Sequence, residues 1–265
     1  MLNSIPFKES QVYFIDEGEG SPVILLHGYL ESLKIWDSFT PLLSDHHRII
    51  RIDLPGHGES TIPVNIASME LMSTSVMAVM DYLKIEKAFL VGHSMGGYVT
   101  LAFLELFKER LTGFCLFHSQ PFADTPEIIK KRKREILLIL KGKKDVICNL
   151  NIPNAFAYDN LEIFENDIDF AKEIARSTSD SGIIASLNGL MTRPDRSGLL
   201  SETILPFLWI LGKKDKYIPH DLIIEKVKLP ANCTLVLLRN SGHQGFMEEG
   251  KFSANAIMTF LSNLE

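Results

Sequence analysis

The stretch from Lys87 to Gly97, Lys-Ala-Phe-Leu-Val-Gly-His-Ser-Met-Gly-Gly, constrains the fold of this 265-residue chain more than any other. Ala88 to Val91 is an apolar run of strand length, Gly92 to Gly96 spells G-x-S-x-G, and a helix is expected from Tyr98 onward. Strand, abrupt turn and helix in that order are the setting in which a serine is lifted clear of a sheet with its hydroxyl exposed. Such a turn forces Ser94 into a strained backbone conformation and crowds the positions two before and two after it. Glycine at 92 and 96 answers that crowding, because a Cβ there would clash. The N–H of Met95, at the positive end of the new helix, is then free to hold a developing negative oxygen.

The rest of the chain alternates in the way this turn requires. Apolar runs at Gln11–Ile15, Pro22–Leu26, Arg48–Ile52, Gly113–Phe117, Leu205–Leu211 and Thr234–Leu238 read as strands. A short helix fits Trp36–Leu43. Ser68 caps a helix reaching Leu83, with Met72, Val76, Met80 and Leu83 at helical spacing. A closing helix carries Phe252, Ala256, Ile257, Phe260, Leu261 and Leu264 on one face. Strands and helices in alternation require parallel strands joined by right-handed crossovers, hence a sheet covered on both faces. The pattern changes over 121–190, where segments near 126–141, 160–176 and 180–191 read as helical and no β-branched strand occurs. The expected organisation is one core in two parts, 1–120 and 191–265, with a helical cap at 121–190. Such an insertion lies over the carboxyl ends of the strands, where open α/β sheets bind ligands.

Composition excludes more than it selects. A net charge of −6 argues against nucleic acid or an anionic membrane as a general partner. Cys115, Cys148 and Cys233 lack metal-type spacing and read as reduced thiols, which suggests a reducing compartment. Met1 to Lys8 lacks the basic-then-apolar pattern of a secretory leader. No apolar run approaches the roughly 18 residues that cross a bilayer. A cytoplasmic protein with a small-molecule partner is the expectation. No histidine pair has zinc-ligand spacing, so neither metal nor organic cofactor is expected.

Two further features join the serine turn: His27-Gly28 after the Pro22–Leu26 run, and the loop Asp53-Leu-Pro-Gly-His-Gly-Glu-Ser60. With them the chain resembles, from about Gln11 to its end, a lidded serine hydrolase of the α/β-hydrolase superfamily, esterase- or lipase-like. The resemblance implies the α/β-hydrolase fold: a mostly parallel central sheet, helices on both faces and a helical cap insertion. It also implies a nucleophile, an acid and a histidine in that order along the chain. Gly212-Lys-Lys-Asp215 follows one late strand and Asn240-Ser-Gly-His243 the other. Ser94 is the implied nucleophile, His243 the base that takes its proton, and Asp215 the group that orients the imidazole. The backbone N–H groups of Tyr29 and Met95 are the implied oxyanion donors. Asp124 is the rival acid, because some relatives take theirs from the loop after the Gly113–Phe117 strand. His118 and Phe122 are the candidate substrate contacts. His27 and His57 are expected to hold loops and His93 to pack or bond locally, with His46, His47 and His220 at the surface.

A serine in this turn, where relatives that open epoxides carry aspartate, points to acyl chemistry. The expected activity is that of a carboxylesterase-type enzyme, cleaving a small or medium carboxylic ester through an acyl-enzyme, with a small-molecule ester or thioester as partner and a monomer or homodimer as its state. The alternatives are a thioesterase, C–C hydrolase or lyase acting on an anionic metabolic intermediate, and a triad-bearing ligand receptor. The run Lys130-Lys-Arg-Lys-Arg134, which in isolation suggests nucleic acid or nuclear targeting, reads as the solvated face of a cap helix, with attraction of anionic substrates as a middle reading.

Overall fold

The structure is a computed structural model that describes residues 1–61, 63–227 and 229–264. Among these, eight strands form one sheet: β1 (Leu2–Phe7), β2 (Ser10–Glu17), β3 (Pro22–Leu26), β4 (Arg48–Ile52), β5 (Ala88–His93), β6 (Leu111–Phe117), β7 (Phe207–Gly212) and β8 (Cys233–Leu238). Their order is β1-β2-β4-β3-β5-β6-β7-β8. Pairing is antiparallel for β1 with β2 and for β2 with β4, and parallel from β4 through to β8. Every residue of β5 and of β7 is buried, which is why both read as continuous apolar runs rather than alternating ones.

The helices are α1 (Met69–Tyr82), α2 (Met95–Phe107), α3 (Pro126–Leu140), α4 (Lys144–Ala155), α5 (Glu165–Ser177), α6 (Asp180–Thr192), α7 (Ser197–Glu202), α8 (His220–Lys226), α9 (Gly245–Glu248) and α10 (Gly250–Ser262). Successive residues of a strand face opposite sides, so the sheet has two cores. Ile24, Leu26 and Leu90 pack with α1 and α2 on one side. Val23, Leu25, Phe89 and Val91 pack on the other with Trp36, α10 and the inner faces of α4 to α6.

Several elements have no counterpart in the sequence pattern, among them β1, α4 and the short helices α7, α8 and α9. β1 is interrupted by Asn3, Ser4 and Pro6, and only Ile5 and Phe7 of its residues are buried. It forms because the tight turn at Lys8, with φ of 53°, folds it back onto β2. Proline is tolerated there because β1 is the edge of the sheet. α4 contains Asn149, Asn151 and Pro153, all poor helix formers, and tertiary packing against α5 holds it. The expected helix over Trp36–Leu43 is instead two single 3-10 turns, Leu33–Trp36 and Thr40–Leu42.

Of the five helices between β6 and β7, α3 to α6 are tied to the rest of the chain, among other links, at three places. Asp124, just before α3, sits between Arg132 of α3 (2.5 Å) and Arg193 at the end of α6 (2.7 Å). Arg196 continues this belt, with Glu105 at 2.8 Å and Glu70 as its second partner. α6 lies on the 53–67 loop, where Ala67 N–H donates to the Ala185 carbonyl at 3.0 Å. At the third place His243 N–H donates to the carbonyl of Ala155, the last residue of α4, at 2.6 Å. Among the described residues no helix is long and apolar enough to cross a membrane. All three cysteines are free, with Cys115 in β6, Cys148 in α4 and Cys233 opening β8.

Candidate active site

Ser94 stands between β5 and α2 with φ of 51° and ψ of −111°, a strained conformation for a residue with a Cβ. Its neighbours hold it there. Ser94 N–H donates to the Phe117 carbonyl at 3.0 Å, and its own carbonyl accepts from Gly97 N–H (3.0 Å) and Ser119 Oγ (2.7 Å). A Cβ on Gly92 would run into the Gly96 carbonyl, and one on Gly96 into the carbonyls of Leu26 and His27. The two glycines are therefore needed for different contacts, only one of them between the pair.

Asp215 follows β7 and its side chain is fully enclosed. Oδ1 accepts the N–H groups of Tyr217 (2.8 Å) and Ile218 (2.9 Å), while Oδ2 meets His243 Nδ1 at 2.7 Å. A carboxylate only accepts, so Nδ1 carries the proton and Nε2 keeps the lone pair a general base needs. Burial alone would raise the Asp215 pKa. Attraction to His243 and hydrogen bonds from His118 and His243 outweigh it and hold the carboxyl well below its usual range. Burial likewise opposes charging His243, but Asp215 prevails and the imidazole pKa is raised above the ordinary 6.5.

A second chain of bonds ties three loops together beneath this pair. His93 Nε2 donates to the His243 carbonyl at 2.8 Å, and its Nδ1 meets Glu31 Oε2 at 2.9 Å. Glu31 also accepts Gly28 N–H at 2.5 Å and Gln244 Nε2 at 3.0 Å. Burial would raise the Glu31 pKa, yet the attraction and hydrogen bond of His93 bring it down to about 2. The expectation that His93 bonds locally thus gives way to contacts 62 and 150 residues away along the chain. Sequence reasoning missed Glu31 and Gln244, which no local pattern links to His93.

Ser94, Tyr29, Met95 and His243 share the wall of one cavity of about 380 Å³, which α3, α4 and the 216–219 segment close from the other side. Among the described residues no hydrogen bond joins Ser94 Oγ to His243, although the two side chains face the same space. Met95 opens α2, so its N–H has no carbonyl four residues back in the helix to bind. Of the expected substrate contacts, neither sits on that wall. His118 is fully buried behind Asp215, with Nδ1 at 3.3 Å from Oδ2. Phe122 lies under the Lys226 ammonium, 5.6 Å from its ring centre. The rival acid Asp124 is occupied by Arg132 and Arg193. His27 donates from Nδ1 to the Gly28 carbonyl and accepts Leu54 N–H at Nε2, and burial pushes its pKa down to about 4. His47 is buried rather than at the surface.

His118, Asp215 and His243 gather three potential metal-ligand atoms within 4.8 Å of one another. Both imidazoles turn Nδ1 toward Asp215 Oδ2, an arrangement suited to a carboxylate with two N–H donors.

Comparison with known proteins agrees with this fold. Residues 21–136 match the model of a family described as having the alpha/beta hydrolase fold. The chain is 26% identical to the 2-hydroxy-6-oxononadienedioate/2-hydroxy-6-oxononatrienedioate hydrolase of Cupriavidus pinatubonensis, over 96% of this chain and 92% of that protein. A shorter match, 40% identical over 100 residues, is to the dihydrolipoyllysine-residue acetyltransferase component of the acetoin cleaving system of Pseudomonas putida. It spans 38% of this chain but only 27% of that protein. Among solved structures, a thermophilic esterase from Thermogutta terrifontis superposes with a TM-score of 0.92 at 26% identity, covering 100% of this chain and 99% of that one.

Proposed function

We propose, for a chain that belongs to the α/β-hydrolase superfamily, a serine hydrolase that cleaves a small or medium carboxylic ester through an acyl-enzyme. The observation that carries this reading is the Asp215–His243 pair at 2.7 Å, on the cavity that also holds the strained Ser94. Ser94 Oγ attacks the ester carbonyl carbon while its proton passes to His243 Nε2. The N–H groups of Met95 and Tyr29 receive the oxyanion, each worth a factor of about a hundred or more in rate. The carbon–oxygen bond to the alcohol then breaks, and the proton on His243 leaves with the alcohol. Water, deprotonated by the same imidazole, releases the acid and restores Ser94. Helices α3 to α6 act as the cap that shapes the acyl pocket.

A second reading, a C–C hydrolase or thioesterase acting on an anionic intermediate, draws on the cavity's charge. Four cations line it, Lys131, Arg132, Arg193 and Lys216, against the three carboxylates Glu31, Asp124 and Glu135. The similarity to a hydrolase of dioates points the same way. A panel of p-nitrophenyl esters, acyl thioesters and unsaturated keto-acids separates the two. The esterase reading expects the highest kcat/KM on uncharged short esters, little changed by salt. Preference for the dianionic substrates, falling steeply with ionic strength, would replace it with the second reading.

A further inference from the structure

We infer that His118 is a positioning residue of this site, a second imidazole that grips the acid from behind. The inference rests on the proposed roles of Asp215 and His243. Three independent features of the fold are built around this ring. First, His118 directly follows β6 with φ of 47°, a left-handed conformation that few residues with a Cβ adopt and that histidine enters more readily than most. Its N–H donates to the Ile210 carbonyl at 2.8 Å, fixing the strained residue to β7.

Second, the ring occupies a socket made by two glycines. A Cβ on Gly212 would approach His118 Cε1 to 2.8 Å, and one on Gly245 would collide with Nε2. Gly212 lies three residues before Asp215 and Gly245 two after His243, so both catalytic loops leave room for the same side chain.

Third, the hydrogen bonds set its tautomer. Gly245 N–H donates to Nε2 at 3.2 Å, so Nε2 holds a lone pair and the proton sits on Nδ1. That N–H faces Asp215 Oδ2 at 3.3 Å, on the oxygen that also meets His243 Nδ1 at 2.7 Å. Burial keeps His118 neutral, with a pKa of about 4 against the opposing pull of Asp215. Three N–H groups hold the carboxylate, two backbone donors on Oδ1 and His243 Nδ1 on Oδ2, and His118 Nδ1 stands 3.3 Å from Oδ2 as a fourth, longer contact.

The physical consequence is a brake on His243 basicity. A donor on Oδ2 withdraws part of the negative charge that would otherwise stabilise the His243 imidazolium. His243 is also faced by Glu31, His93, Glu248 and the ring of Tyr217, at 5.3 Å, none of which the His118 substitutions remove.

His118→Leu removes the donor. His118→Asn, shorter than histidine but at ease in a left-handed conformation, returns an N–H near the position of Nδ1. In folded His118→Leu, kcat falls about tenfold or more with KM little changed, the worth of a hydrogen bond to a charged group. The acid limb of kcat/KM moves up by about half a pH unit. His118→Asn recovers most of both. The His243 imidazole titration, followed by NMR, moves up in step with the limb. It reads out without turnover, so it tests this inference even if wild-type protein hydrolyses no ester. A folded His118→Leu protein whose His243 midpoint matches wild type would overturn the inference. So would a loss of thermal stability alone, with kcat and the limb unmoved.

Discussion

The two walls of the cavity are made differently. One wall comes from loops at strand ends, Ser94 after β5 and His243 after β8, with Asp215 after β7 enclosed behind His243. Its groups are fixed by backbone hydrogen bonds and by glycines that allow no side chain, such as Gly92 against the Gly96 carbonyl. The other wall comes from α3 and α4, held by apolar packing and by the Asp124, Arg132 and Arg193 charges at its root. A wall fixed through backbone tolerates almost no change in geometry, which suits bond-making. A wall fixed through side chains can be repacked while the fold stands, which suits selectivity. The His243 N–H to Ala155 carbonyl bond is where the two meet.

The largest expected effects fall on the first wall. Ser94→Ala lowers kcat by about a hundred-thousandfold or more, and Asp215→Asn by about ten-thousandfold, each with KM and thermal midpoint near wild type. Single-turnover and steady-state rates check both. A loss of less than about tenfold in Ser94→Ala would remove the division between the walls altogether.

Next comes the root of the second wall. Asp124→Asn leaves two enclosed guanidiniums facing a neutral amide, and removing one partner of a buried ion pair costs about 3 kcal/mol or more. Denaturant unfolding measures it. The chemistry on a short ester should survive under conditions where the protein stays folded. Equal collapse of kcat and stability would mean that the walls are not separable.

The pH profile sharpens the same division. His243 must be neutral to take the Ser94 proton, and Asp215 raises its pKa, so kcat/KM is lost as pH falls through a midpoint above the ordinary 6.5. A profile flat down to about pH 5 would contradict the general-base role. The smallest effect belongs to the outer face of the second wall. Lys130, Lys133 and Arg134 are exposed and off the cavity wall, whereas exposed Lys131 lines it and Arg132 turns inward to Asp124. Replacing these three off-wall cations with alanine changes the rate on a neutral ester by less than about twofold. A large loss would bring the basic run into substrate attraction.

The same division explains what the sequence could reveal. The strands and the Ser94 turn are legible because glycine at fixed positions and unbroken apolar runs report backbone constraints directly. Asp215 and His243 follow from strand ends for the same reason. The second wall is not legible, because Ile152, Arg132 and Tyr217 look like any residues of amphipathic helices and loops until packing chooses the inner face. His118 shows the limit most clearly. Its place at a strand end suggested the pocket, but a left-handed turn of the backbone sends the ring behind Asp215. The Glu31–His93 link is hidden by a separation of 62 residues with no periodicity between them.

Reaction with a fluorophosphonate, followed by intact-mass measurement and peptide mapping, tests the central claim most directly, because it reports the nucleophilicity of one hydroxyl without any assumption about the natural substrate. The expected result is one phosphonyl group on Ser94, absent in Ser94→Ala and formed at least about a hundredfold more slowly in His243→Ala. Folded wild-type protein that stays unlabelled at Ser94 would contradict it.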